Sequence, residues 1–326
     1  MMNTNINSNK LRRDMMELWK ETFHDSTRYI DLIFDTYFCL ENAFYMYDGD
    51  MLVASLLGIE YEFQDHTEIG ETSVSRGMYL CGLATRPEYR RRGIMAQLMC
   101  QAETSAQKRG FKITFLIPAN SHLREYYDKK GYRTASYKRC QYIKKCRIEG
   151  NSKMYIYTFK ELLEKGKTQF VEEVAEWCSN KEKLHRESTT ILHSKKDMMA
   201  IIYENENSFF LTKASFDPEY PILAEVWGVV FPTRIEEGNK IISITGLYLK
   251  EEGYKQSSRV SIISLPADIK HTIIKHFQEY DIELNLPYTG EEQIDKIPYA
   301  MIKSIKDEEI LQEKDNLMYD ISLMLD

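Results

Sequence analysis

Residues 83–98 read Leu83-Ala84-Thr85-Arg86-Pro87-Glu88-Tyr89-Arg90-Arg91-Arg92-Gly93-Ile94-Met95-Ala96-Gln97-Leu98, and the reading of the fold turns on that stretch. An apolar run closes at Thr85, Arg86-Pro87-Glu88-Tyr89 breaks it, and a helical pattern opens at Gly93. Ile94, Met95, Leu98, Met99, Ala102 and Ala106 recur at helical spacing, which predicts a helix over 93–108 that Gly110 ends. Strand, turn and helix in that order set the unpaired N–H groups of the first helical turn, with the positive end of the helix dipole, at the exit of the strand. Such a terminus attracts phosphate. A glycine there leaves no Cβ in the way, and three arginines add charge-assisted bonds to a pyrophosphate or ribose phosphate. A solvated basic cluster on an ordinary helix start would read the same, so the surrounding sequence has to decide.

Upstream, the apolar spacing predicts helices from Leu11 to Thr22 and over 26–38, the second with Ser26 as N-cap. Asp48-Gly49-Asp50 between the apolar runs 43–47 and 51–61 is a hairpin signal, and 78–85 is a third strand after a polar stretch, 64–76. Downstream follow a strand over 111–117, a helix over 122–130 ended by Gly131, and a strand over 132–143. The basic run 138–147 and Gly150-Asn151-Ser152 mark a boundary. Beyond it, helices are expected at 159–165, 170–178 and 269–278, and strands at 198–203, 209–212, 224–230, 241–249, 260–265 and 299–305. The tail, 306–326, is expected as one or two short helices. The fold class is therefore α/β in the mixed α+β sense. The domains are read as 1–150, a companion at 151–305, and the tail.

With 326 residues, 43% of them apolar, the chain has enough material for two packed domains. No apolar run reaches membrane-spanning length, and the N-terminus lacks a secretory pattern. Six scattered cysteines without a CxxC pair fit a reducing cytoplasm, and the seven histidines form no metal-ligand pattern, so no metal is expected. Net charge is −7, which weighs against nucleic acid as a partner. It is uneven. Residues 1–150 carry 22 Lys+Arg against 19 Asp+Glu, and the remainder carries 21 against 31. That split suits an anionic cosubstrate in the first half and a cationic acceptor nearby.

A second motif lies downstream: Asn120-Ser121-His122-Leu123-Arg124-Glu125-Tyr126-Tyr127-Asp128-Lys129-Lys130-Gly131-Tyr132. Taken together, the two stretches resemble the GNAT superfamily of acetyl-CoA-dependent N-acetyltransferases. Its signature, Arg/Gln-x-x-Gly-x-Gly/Ala, is met here by Arg90-x-x-Gly93-x-Met95, with Met95 departing from the usual small residue. The resemblance implies acetyl-CoA as cosubstrate. The backbone of Leu83, Ala84 and Thr85 would bind the pantetheine arm like an added strand. Arg90, Arg91, Arg92, Gly93, Ile94, Met95 and Ala96 would surround the pyrophosphate, and Asn120 and Ser121 would lie by the pantetheine where the strands part. Tyr127 would be the general acid that reprotonates the departing thiolate. A phenol with a pKa near 10 is matched to that task. Tyr126 is a rival one residue earlier, and both could instead be plain core aromatics.

The second half repeats the α/β character without the Arg-x-x-Gly turn, which is similar to acetyltransferases of the enhanced-intracellular-survival (Eis) type. The implied fold is a tandem pair of GNAT-like domains, the second degenerate. In that type the chain's own C-terminal carboxylate serves as base, which points to Asp326; an apolar finish at Ile321, Leu323, Met324 and Leu325 would dock it. Glu60 and Glu62 are rival bases, and surface ion pairs are the commoner fate of such glutamates. Trp19, Phe23, Tyr29, Phe34 and Tyr37 could wall an acceptor pocket or fill core. The expected activity is acetyl transfer to an amine of a small molecule or peptide, without membrane or nucleic-acid partners, leaving a homo-oligomer open. The rival class is a non-catalytic acyl-CoA sensor on the same scaffold.

Overall fold

The computed structural model describes residues 7–66, 72–146, 154–183, 189–205, 207–213, 215–236, 240–250, 267–287, 297–305 and 319–320. They fall into two compact units, the first within Met1–Asp65, Thr72–Ala135 and Tyr299–Leu317, the second within His66–Glu71, Ser136–Pro298 and Met318–Asp326. The first unit therefore ends near residue 135, not 150, and takes back a segment from 299 onward.

The first unit opens with α1 (Ser8–Phe23) and α2 (Thr27–Tyr37). Asn7 caps α1 by accepting from the Asn9 and Lys10 N–H groups, and Ser26 caps α2 by accepting from Tyr29. Strands β1 (Ala43–Asp48) and β2 (Met51–His66) form the expected hairpin, closed by Asp48 opposite Met51, with Gly49 at φ 60°. β3 (Thr72–Thr85) begins six residues before the apolar run, so the described part of the polar stretch 64–76 is strand and not loop. Then come α3 (Ile94–Lys108), β4 (Ile113–Leu116), α4 (Ser121–Asp128) and β5 (Arg133–Thr134). The sheet runs β2-β3-β4, then a late strand (Met301–Ser304, β14 below), then β5, with β1 beside β2. Its core gathers Phe44, Leu56, Met78, Leu80, Leu98, Met99, Phe111, Tyr127 and Tyr132.

The strand expected over 132–143 divides. Only Arg133–Thr134 stays in the first unit, and β6 (Tyr137–Ile143) joins the second sheet. The place that a continuous strand would have filled beside β4 is taken by the late strand, with Met301 opposite Leu116 and Thr134.

The second unit continues with β7 (Met154–Thr158), α5 (Phe159–Glu164), α6 (Thr168–Glu182), β8 (Thr189–Leu192), α7 (Lys195–Glu204), β9 (Phe209–Lys213), β10 (Val226–Glu236), β11 (Ile241–Leu249), α8 (Ala267–His276), β12 (Asp281–Pro287) and β13 (Ile297–Pro298). The late strand of the first unit is β14 (Met301–Ser304), and β15 (Tyr319–Asp320) pairs in parallel with β8. The second sheet has the order β13-β6-β12-β11-β10-β9-β7. One of its apolar clusters contains Ile269, Ile273, Ile274 and Phe277 of α8; the other contains side chains of α5, α6 and α7. Residues 198–203, expected as a strand, are helix. Ser194 and Asp197 form a reciprocal capping box that starts α7 and decides an apolar run whose period is ambiguous. The strand expected at 260–265 and most of the tail lie outside the described residues.

Candidate active site

β3 pairs in parallel with β4 only from Gly77 to Tyr79, opposite Ile113 to Phe115. β4 ends at Leu116 while β3 runs on to Thr85, so the two strands part and Leu80–Thr85 has no ladder partner on β4. An unpaired strand edge is a template for another extended chain. Leu83, Ala84 and Thr85 lie on that edge. Gly82 sits just before them with φ 59°, and a Cβ built there would lie 2.1 Å from the Trp19 ring. Only glycine lets α1 close on the strand at this point. Sequence reasoning passed over Gly82; the signal was a lone glycine inside a strand pattern.

The exit from β3 is pinned. The Arg86 N–H donates to the Val53 carbonyl at 2.9 Å, its Nε donates to Leu52 at 2.9 Å, and its guanidinium meets Glu21 at 2.6 Å. A short 3₁₀ turn, Pro87–Tyr89, follows, held by the Tyr89 hydroxyl donating to Asp48 at 2.7 Å. Arg90 Nε donates to the Thr85 carbonyl at 3.0 Å, and the Arg92 guanidinium lies 4.9 Å over the Tyr89 ring. Arg91 and Gly93 are both left-handed, at φ 62° and 78°. For Arg91 that conformation costs about 1–2 kcal/mol, a strain that marks the loop.

α3 starts without a side-chain cap, so the N–H groups of Ile94, Met95 and Ala96 have no acceptor within the helix. A Cβ at Gly93 would meet nothing within 4 Å, which leaves the approach to those groups open. Met95, where the family carries a small residue, is half-buried and packs against the core cluster that contains Leu98 and Met99. The residues present fit a pyrophosphate: oriented N–H donors, a positive dipole end and exposed arginines.

α4 carries the second motif. Asn120 Oδ1 accepts from the Leu123 N–H at 2.9 Å, so this oxygen is committed to capping. Ser121 is exposed. Tyr127 is buried within the core cluster against which Leu83, Ile94 and Met95 also pack, so the strand exit, the helix start and this phenol share one apolar floor. Its ring lies edge-on to Tyr126 at 5.3 Å and to Tyr132 at 6.1 Å. Burial, with a smaller contribution from Tyr126, pushes its hydroxyl up to about 12, so it holds its proton at neutral pH.

Other expectations fare differently. Asp326 lies outside the described residues. Glu60 is bracketed by Arg76 and Arg109, each at 3.1 Å, with both guanidiniums over Phe111, and is spoken for as an ion-pair partner. Glu62 is exposed. Trp19, Phe34 and Tyr37 are core; Tyr29 is half-buried and Phe23 is exposed at the end of α1. Asp25, unread in the sequence, accepts the Trp19 indole N–H at 2.7 Å. Among the described residues there is no metal-binding group of His, Cys, Asp and Glu, and no helix is long and apolar enough to cross a membrane.

A parting parallel strand pair, an uncapped helix start with basic flanks and a buried phenol thus stand together in the first unit. Residues 7–135 match the family model described as an acetyltransferase (GNAT) domain. No curated protein matches the sequence. Among solved structures, a probable N-acyltransferase from Enterococcus faecalis aligns with a TM-score of 0.62 at 14% identity, covering 92% of this chain and 71% of its own. Eis1 from Mycobacterium abscessus aligns at 0.60 and 11% identity over 94% and 74%, and a GCN5-related N-acetyltransferase from Anabaena variabilis at 0.57 and 12% over 90% and 70%. At such identities the likeness is one of fold. It spans both units and agrees with the tandem GNAT architecture.

Proposed function

We propose that the protein transfers an acetyl group from acetyl-CoA to an amine of a small molecule or peptide by direct attack. The observation that carries this reading is the opening of β3 from β4 directly ahead of the uncapped start of α3. One end offers a strand edge to an extended amide-bearing arm, and the other offers N–H donors and arginines to its phosphates. Backbone N–H groups of Leu83–Thr85 on the edge that β4 has left would polarise the thioester carbonyl, the amine would attack it, and the departing thiolate would take the Tyr127 proton.

The sensor reading keeps the donor cradle and has no need of a buried proton donor. Thiol release from acetyl-CoA across a panel of polyamines, lysine peptides and aminoglycosides, for wild type and Tyr127→Phe, separates the two. Turnover that collapses in the variant supports the enzyme and the acid. Tight donor binding with no turnover on any amine would favour the sensor.

A further inference from the structure

Beside the Tyr127 ring a polar chain runs from the buried Tyr132 to the half-buried Glu103 and Lys303. Tyr132 is almost fully enclosed, and its hydroxyl lies 3.1 Å from Glu103 Oε1 and 3.0 Å from Thr114 Oγ1. A phenol has one proton and an ionised carboxylate can only accept, so Tyr132 donates to Glu103 and Thr114 donates to Tyr132. The second Glu103 oxygen accepts from Lys303 Nζ at 2.8 Å. The Lys303 stem passes 3.6 Å from where a Gly131 Cβ would be, and its ammonium lies 5.7 Å over the Tyr132 ring.

These four residues come from α3, β4, the turn between α4 and β5, and β14. Their common product is the position of the Tyr132 ring. That ring meets Tyr127 edge-on, and the Tyr132 N–H also donates to the Tyr127 carbonyl at 3.1 Å. Lys303 arrives on the strand that re-enters the first unit after the entire second unit has been threaded.

We infer that Glu103, Tyr132 and Lys303 are positioning residues for acyl transfer, through which the returning strand β14 holds the Tyr127 hydroxyl at the leaving thiolate. The inference rests on the proposed role of Tyr127. Neither Tyr132 nor Lys303 belongs to the strand exit or the helix start that would hold acetyl-CoA, so loosening the network lowers kcat and leaves the KM for acetyl-CoA nearly unchanged. A misplacement of the acid by a fraction of an ångström to one ångström is expected to cost about tenfold to a hundredfold in kcat.

The test uses the full chain with Tyr132→Phe, Lys303→Met and Lys303→Arg, beside Tyr127→Phe. Thiol-release kinetics should show kcat down about tenfold in the first two, donor KM within about twofold, and recovery in Lys303→Arg, which keeps the charge. In parallel, ¹⁹F NMR of protein carrying 3-fluorotyrosine, with the Tyr127 resonance assigned by its loss in Tyr127→Phe, reads the phenol without turnover. Lys303→Met should move that resonance although it is on another element. An unmoved resonance in Lys303→Met, or an unchanged kcat in Tyr132→Phe while Tyr127→Phe collapses, overturns the inference alone. Full activity in Tyr127→Phe overturns it together with the assignment of the acid.

Discussion

The two units share the structural device that opens a GNAT sheet and differ in what surrounds it. In the first, β3 and β4 are parallel over Gly77–Tyr79 and then part. In the second, β11 and β12 are parallel from Ile241 to Ile244 opposite Asp281 to Leu284, after which β11 continues to Leu249. The helix that follows β3 begins at an open glycine beside three arginines, whereas the first turn of α8 contains Asp268, whose charge repels phosphate. Trp19 closes on Gly82 of β3 in the first unit, whereas β11 of the second carries Tyr248 into a buried polar group. Tyr248 donates to Glu182 at 2.8 Å, and Glu182 also takes the His193 N–H at 2.6 Å and its Nδ1 at 2.9 Å. Glu182 and His193 are 1% and 2% exposed, so this group is scaffold.

Five variants press on that contrast. The largest effect is expected from the pair of tyrosines: Tyr127→Phe should lower kcat about 10²–10⁴-fold, while Tyr248→Phe leaves kcat intact; steady-state thiol release reads both. Next, replacing Arg90, Arg91 and Arg92 together by Gln should weaken acetyl-CoA binding about tenfold to a hundredfold and flatten its salt dependence, measured by titration at two ionic strengths. Glu182→Gln should destabilise the second unit by about 3 kcal/mol in urea unfolding, because the buried partners lose a charge they were built around, with donor affinity unchanged. The smallest effect belongs to Glu60→Gln. It loosens an arginine bracket worth about 1 kcal/mol or less and changes kcat less than about twofold; a larger loss of kcat would restore Glu60 as a base.

The raised Tyr127 pKa adds a pH test with a definite sign. The native state holds that proton up to about pH 12, and the unfolded chain releases it near 10. The linked stability is complete below about pH 10 and is lost as pH climbs toward 12. Tyr127→Phe should show a shallower alkaline loss in denaturant titrations.

How far the sequence could be read follows from where the physics is local. The cap at Ser26, the Asp48–Asp50 hairpin and the Thr85–Gly93 turn were legible because each depends on a few neighbouring residues. The helix at 195–204 was missed because its apolar run has no clear period and the short Ser194–Asp197 box decides it. The split at residue 135 and the return of β14 were invisible for a different reason: strand pairing across more than 160 residues leaves no local trace. In the site, residue types on the motif were legible. Gly82, Asp25 and the Glu103–Lys303 link depend on tertiary contact and were not.

The central claim is that acyl-CoA chemistry resides in the first unit, at the start of α3. Calorimetric titration of acetyl-CoA into the full chain and into Gly93→Val tests it most directly: a Cβ there meets nothing within 4 Å, but the left-handed φ of 78° strains any side chain, so the variant disturbs the helix start itself. One site per chain, lost or weakened at least tenfold in the folded variant, is the predicted result. Two sites per chain, or undiminished binding to Gly93→Val, would contradict it.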